Sequence, residues 1–219
     1  MIKVYLEVWG DYALFSRPEM KVERVSYDVM TPSAARGILE AIYWHPGIKY
    51  EVNKIFVLNK IKFENIRRNE VSQKISAQNV KTFIKSKKGA LYIATSETRT
   101  QRAAMVLKNV RYVIEAQVLM TELAGENDNF LKIYNILERR MTNGQCYHTP
   151  YFGTREFPVY FKLCEDVKNI KTAYPNEIKD LGFMLYDMDY SDKKNICPLF
   201  FRAIMRNGIL DVQKPEVFK

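Results

Sequence analysis

Apolar and polar residues alternate from Ile2 to Trp9, among β-branched and aromatic side chains, and this pattern predicts a strand that Gly10-Asp11 ends. Residues 11–30 are mixed and read as a long loop with an extended piece. Thr31-Pro32 then opens a helix, with Thr31 as N-cap and Pro32 at the first helical position, and Pro46-Gly47 stops it after about Trp44. Ala34, Ile38, Ala41 and Ile42 form its apolar stripe, while Arg36, Glu40 and Tyr43 share another face. Residues 50–58 predict a second strand, and Asn59-Lys60 a tight turn into a third from Ile61 to about Val71, the two paired as a hairpin. Residues 72–103 are polar, basic and weakly patterned, and read as a flexible insertion with a hairpin. Strong alternation returns over 105–121. Asn127-Asp128 can cap a second helix over roughly 129–142, with Phe130, Ile133, Tyr134, Leu137 and Met141 as its stripe and Asn143-Gly144 as its end. Residues 147–163 are β-rich with a turn at Gly153, and 181–190 and 198–212 predict further strands around an Asn207-Gly208 hairpin turn.

The order strand, helix, strand, strand, insertion, strand, helix, strand is βαββαβ with one strand to spare. It predicts an α+β fold of the ferredoxin-like, RRM-like type over 1–163, carrying an inserted basic hairpin. Residues 164–219 are expected to add a small C-terminal antiparallel β-sheet.

Charge sharpens this picture. The chain carries +9, and the segment from Lys60 to Arg111 alone holds thirteen Lys and Arg against three acids, Glu64, Glu70 and Glu97. Essentially the whole basic excess therefore sits in one quarter of the sequence. A solvated lysine face normally mixes both signs, so this asymmetry points to a polyanion, nucleic acid first. No run of eighteen apolar residues occurs, so no membrane helix is expected, and the alternating N-terminus reads as a strand instead of a signal peptide. Cys146, Cys164 and Cys197 are scattered and odd in number, which suits a reducing cytoplasm. With only His45 and His148 besides them, no metal-ligand spacing is recognisable, and no cofactor is expected. Walker, G-x-G-x-x-G and H-E-x-x-H motifs are absent, and no RNP-type aromatic motif matches.

Four segments carry a resemblance. They are Glu7 to Pro46, Ile66-Arg67-Arg68-Asn69-Glu70-Val71, Gln101 to Ala116, and Asn143 to Phe157 (NGQCYHTPYFGTREF). In order and spacing they resemble the type I-C CRISPR-associated Cas-five subunit, d variant, of the repeat-associated RNA-binding superfamily, over residues 1 to about 163. The resemblance implies binding of CRISPR repeat RNA and cleavage of the precursor within the repeat. It also implies retention of the 5′ handle and assembly with the backbone, large and small subunits of a surveillance complex.

Metal-independent RNA cleavage uses the 2′-hydroxyl as nucleophile and needs a base, a cation for the phosphorane and an acid for the 5′-oxygen. The resemblance implies a Tyr, a Lys and a His, which fall on Tyr43, Lys132 and the position of Ile133. Ile133 cannot move a proton, so His148 or His45 is the substitute candidate, and a His at 133 is expected to raise the rate. His148 also has an ordinary reading as a structural histidine on a strand. A non-cleaving, handle-holding subunit is the alternative function, and a generic RNA-binding protein a third. The expected RNA contacts are Arg67, Arg68, Arg99, Arg102, Arg139 and Arg155, whose planar guanidinium fork suits phosphate, together with Lys74.

Overall fold

The computed structural model describes residues 2–20, 22–192 and 194–219. Among these, ten strands join one hydrogen-bonded sheet, and the longest strand organises it. The strands are β1 (Ile2–Ala13), β2 (Arg24–Val25), β3 (Ile48–Val57), β4 (Phe63–Val71), β5 (Arg99–Met120), β6 (Tyr160–Leu163), β7 (Ile178–Asp189), β8 (Cys197–Arg206), β9 (Ile209–Asp211) and β10 (Val217–Phe218). The helices are α1 (Pro32–Ile42), α2 (Ala77–Ser86), α3 (Thr95–Thr98) and α4 (Phe130–Thr142). The sheet runs β10-β8-β9-β3-β5-β1-β6, with β2 and β4 on β5 and β7 on β8. It is antiparallel except where β2 meets β5.

The predicted hairpin between the second and third strands does not form. β3 and β4 both pair with β5 instead, on consecutive stretches of it: Ile48–Val57 against Tyr112–Met120, and Phe63–Val71 against Arg99–Leu107. The junction sits at Asn109, whose φ of 51° is a left-handed conformation that Asn tolerates. The predicted Asn59-Lys60 turn runs alongside it, with Asn59 Nδ2 donating to the Asn109 carbonyl at 2.8 Å and Lys108 N–H donating to the Lys62 carbonyl. A strand of 22 residues can thus serve two partners end to end, a choice that local pattern cannot reveal.

The basic insertion differs in the same way. β4 and the first half of β5 make an arm, with β2 beside its base at Ala104–Met105, and its connection carries α2 and α3 where a further hairpin was expected. Ser76 caps α2 by accepting from the Asn79 N–H, and Lys87 ends it with φ 51°. α2 buries none of its side chains.

In the body, even-numbered residues of β1 (Val4, Leu6, Val8) and their partners Ala116, Ile114 and Tyr112 face a core shared with Ile38, Leu39 and Ile42 of α1 and Ile133, Leu137 and Met141 of α4. α1 packs on β3 and β7, α4 on β1 and β6, and the two helices touch. Thr31 accepts from the Ala34 N–H at 3.2 Å as the predicted N-cap. The helix ends at Ile42, two residues before the expected end, because Tyr43 is already extended. Asn129, not Asn127 or Asp128, caps α4 by accepting from the Lys132 N–H. The expected β-rich 147–163 stretch reduces to β6 and a bridge between Tyr151 and Pro158. The C-terminal strands are antiparallel as expected, with Asn207 and Gly208 both at positive φ in the β8–β9 turn. β9 also pairs with β3, so these strands extend the same sheet.

Candidate active site

The end of α1, the end of α4 and the segment after it meet around a cavity of about 470 Å³ lined by Glu40, Tyr43, Trp44, Arg140, Tyr147 and His148. Three sets of backbone contacts build it. The Tyr147 and His148 N–H groups both donate to the Ala41 carbonyl, at 2.9 and 3.3 Å, and occupy an acceptor that the α1 terminus leaves open. Arg140 donates from Nη1 to the next carbonyl, Ile42. Gly144, at φ 64°, closes α4 where the sequence placed its end, and Gln145 N–H returns to the Arg140 carbonyl.

Tyr43 and His148 therefore share one cavity. Tyr43 is half-buried, with the Arg140 guanidinium 5.1 Å from its ring centroid, and its carbonyl accepts from the Tyr50 hydroxyl at 2.6 Å. Burial pushes the Tyr50 hydroxyl far up, so it stays a neutral donor. His148 is exposed and meets the Tyr147 ring edge-on at 5.8 Å. Glu40 is engaged by Arg36 at 2.7 Å. Arg36 in turn forks onto Asp187 of β7; burial opposes its charge, but Asp187 and Glu40 outweigh that and hold it protonated.

Lys132 is not among the cavity residues. It lies in the first turn of α4, eight residues before Arg140 and thus about 12 Å along the helix. Its Nζ is 3.3 Å from Asp128 Oδ1 and 3.5 Å from the Asn127 carbonyl. A backbone hydrogen bond from Gly125, with Lys132 second, holds the Asp128 carboxyl below the usual carboxylate range. His45 sits 3.8 Å from that carboxylate, its Nδ1 accepting from Gly47 N–H. Ile133 is 1% exposed and packs in the core. Among the described residues, no group of three or more His, Cys, Asp or Glu is placed to hold a metal ion.

The arm divides the basic candidates by strand parity. Arg67 and Arg99 belong to one face, both exposed. Arg68 and Arg102 are directly opposite each other on the other face. Two like charges so placed repel, and carboxylates compensate them. Arg68 pairs with Glu156 and lies 5.0 Å over the Phe157 ring, while Arg102 is 3.8 Å from Glu70, which also binds Arg24 at 2.6 Å. Lys74 is exposed beyond β4, at a cavity lined also by Ile75, Val80, Leu91 and Tyr92. Arg139 is exposed at the end of α4, and Arg155 is exposed next to Glu156.

Sequence reasoning missed Trp44, Tyr147 and Arg140 as cavity residues. Arg140 stands with Arg139 in the last turn of α4, where any cation suits the helix dipole, and its reach to a carbonyl 98 positions away in sequence leaves no local trace. The aromatic neighbours of the two matched residues, Trp44 beside Tyr43 and Tyr147 beside His148, were the signal available.

Comparison with known proteins agrees with the resemblance. A family model described as CRISPR-associated protein (Cas_Cas5), the Cas_Cas5d model, matches residues 4–213. A relative from Mannheimia succiniciproducens, named CRISPR pre-crRNA endoribonuclease Cas5d, is 49% identical over 214 residues, covering 96% of this chain and 94% of its own. One of the same name from Thermus thermophilus is 40% identical over 229 aligned residues, covering 97% and 92%. Among solved structures, a CRISPR-associated protein superposes with a TM-score of 0.71 at 22% identity over 100% of this chain and 97% of that one. A chain of a CRISPR RNA-guided surveillance complex gives 0.54 at 13% identity over 95% and 91%. The fold is thus shared with both, and with its sequence matched nearly end to end the chain belongs to the Cas5d family of CRISPR-associated proteins.

Proposed function

We propose that the protein binds the repeat of a CRISPR transcript, cuts it by metal-independent attack of a 2′-hydroxyl, and keeps the 5′ handle as the seed of a type I-C surveillance complex. The observation that carries this reading is the meeting of Tyr43 and His148 at one cavity beside Arg140. One of the two takes the proton from the 2′-oxygen as it bonds to phosphorus, and the other protonates the 5′-oxygen as the P–O5′ bond breaks. The products are a 2′,3′-cyclic phosphate and a 5′-hydroxyl. Lys132, the cation implied by the resemblance, has to exchange Asp128 for an RNA phosphate to take part. The relatives' name, pre-crRNA endoribonuclease, supports the same activity here. The order β1-α1-β3-β5-α4-β6, with β4 as part of the inserted arm, supports a ferredoxin-like RNA-binding domain over 1–163, followed by a C-terminal β subdomain over 164–219.

A second reading, a handle-holding subunit without cleavage, is favoured by one observation: the family's histidine position is Ile133, sealed in the core. Single-turnover incubation with the cognate repeat RNA in a chelator decides between them. Cleavage that stops when the scissile nucleotide is 2′-deoxy supports the nuclease; intact RNA that remains tightly bound supports the holder.

A further inference from the structure

Four rings, those of Tyr43, Trp44, Tyr147 and His148, line the cavity at the α1 and α4 termini. Trp44 is 60% exposed and Tyr147 81% exposed, although both belong to residue types that folding normally covers. One exposed ring on a surface needs no explanation, but two lining one cavity, beside a guanidinium, form a patch with a purpose. The cavity volume falls within the range of pockets that take small planar groups, roughly 300–1,000 Å³.

Its charge selects the occupant. Glu40 is held by Arg36, which it shares with Asp187, and Arg140 is the guanidinium of the wall. Arg140 spends one nitrogen on the Ile42 carbonyl, and a guanidinium has five N–H donors in a planar fork. Planar rings next to a planar cation match a nucleobase and its phosphate, the combination that single-strand RNA sites use.

We infer that this cavity is a nucleobase clamp, in which Trp44 and Tyr147 stack a base of single-stranded RNA while Arg140 holds the adjacent phosphate. The inference rests on the RNA-binding reading above and deepens it. The clamp fixes one nucleotide beside Tyr43 and His148, and so sets which bond of the repeat is presented to them. Arg140 fills the place on the cavity wall that Lys132, about two turns earlier in α4, does not.

The chain has two tryptophans, so Trp9→Phe leaves Trp44 as the only one. The fluorescence of this variant is titrated with single-stranded cognate repeat RNA and with copies carrying one abasic nucleotide at successive positions. Filter retention measures binding independently. The clamp predicts saturable quenching that one abasic position abolishes, with an affinity loss at that position of about tenfold. Trp44→Ala, a surface substitution with an unchanged thermal melt, should weaken the intact RNA by a similar factor and add nothing to the abasic loss. Arg140→Lys should retain the quench and lose affinity. If filter retention shows binding while Trp44 fluorescence does not respond, the clamp is wrong and the cavity belongs to a protein partner. Quenching that survives every abasic substitution also overturns it. If filter retention shows no repeat binding at all, the RNA-binding reading falls first and the clamp with it.

Discussion

Arg68 and Glu156 form an ion pair that fastens the arm to the loop ahead of β6. Its neighbour Arg67 lies on the opposite face of β4, exposed and, among the described residues, without a carboxylate. One step along a strand thus separates a structural arginine from an available one. Arg67→Ala should leave the melting temperature unchanged, weaken RNA binding, and lower the slope of log affinity against log salt by about one. Arg68→Ala should lower the melting temperature by about 2–4 °C, through loss of a partly exposed ion pair and a cation–π contact. Thermal melts and salt titrations of the two variants separate these outcomes. Equal effects of both on the salt slope would count against the assignment by face.

Burial changes what a histidine at position 133 can do. With Ile133 1% exposed among Leu137 and Met141, Ile133→His loses packing and buries a polar ring without a partner. The expected cost is about 2–4 kcal/mol, against about 1 kcal/mol for Ile133→Val. No gain in cleavage rate is expected, because position 133 faces the core and the cavity lies at the other end of α4. Denaturant titration and single-turnover cleavage of the folded variant check both statements.

The Asp128 carboxylate, anchored by Gly125 N–H and Lys132, titrates below its unfolded value. A carboxyl whose folded pKa is depressed stabilises the fold fully above the unfolded value, about 3.9, and loses that contribution as pH falls through the folded value. The stability gap between the protein and its Asp128→Asn variant should therefore be constant near neutrality and shrink below about pH 4. Melting temperatures of both across pH 2.5–7 (roughly the span of carboxylate titration) provide the measurement. A gap that widens in acid contradicts the sign.

Gly153 has φ 80°, and a Cβ there would lie 1.9 Å from the Leu14 carbonyl oxygen. Leu14 N–H donates to the Phe152 carbonyl, so the two segments cannot separate cheaply. Gly153→Ala combines a left-handed conformation with a backbone clash, and should cost about 2–4 kcal/mol. The same loop leads back to His148, so cleavage should fall with stability. Activity kept at wild-type level with an intact melt would show that the loop has room to move.

Local chemistry was legible from the sequence, and long-range choices were not. Thr31 as a cap, the Gly144 helix end and the Asn207-Gly208 turn follow from side-chain and backbone preferences within a few residues, and they stand as expected. The pairing of β3 and β4 with one strand, and of β9 with β3, is set by contacts far apart in sequence. α2 was readable in principle, since Ser76 caps a run with Val80, Phe83 and Ile84 at helical spacing, but its basic composition hid it. At the site, the resemblance singled out Tyr43 and His148 as candidates, and the two line one cavity. Arg140, Trp44 and Tyr147 acquire meaning only when two helix ends converge, which no single segment encodes.

The shared strand gives the molecule two grades of stability on one continuous backbone. The half of β5 between β1 and β3 lies in the core, whereas the outer half leads to a tip whose helix buries nothing. Amide protons should accordingly exchange in a gradient along β5, slow at Ile114 and fast towards Arg99. At its base Ala104, Val106 and Leu107 are buried in the core of the body, whereas the helix at its tip buries nothing, so the arm is expected to order outward from the body. Its final rigidity is left for whatever lies along its basic faces to supply.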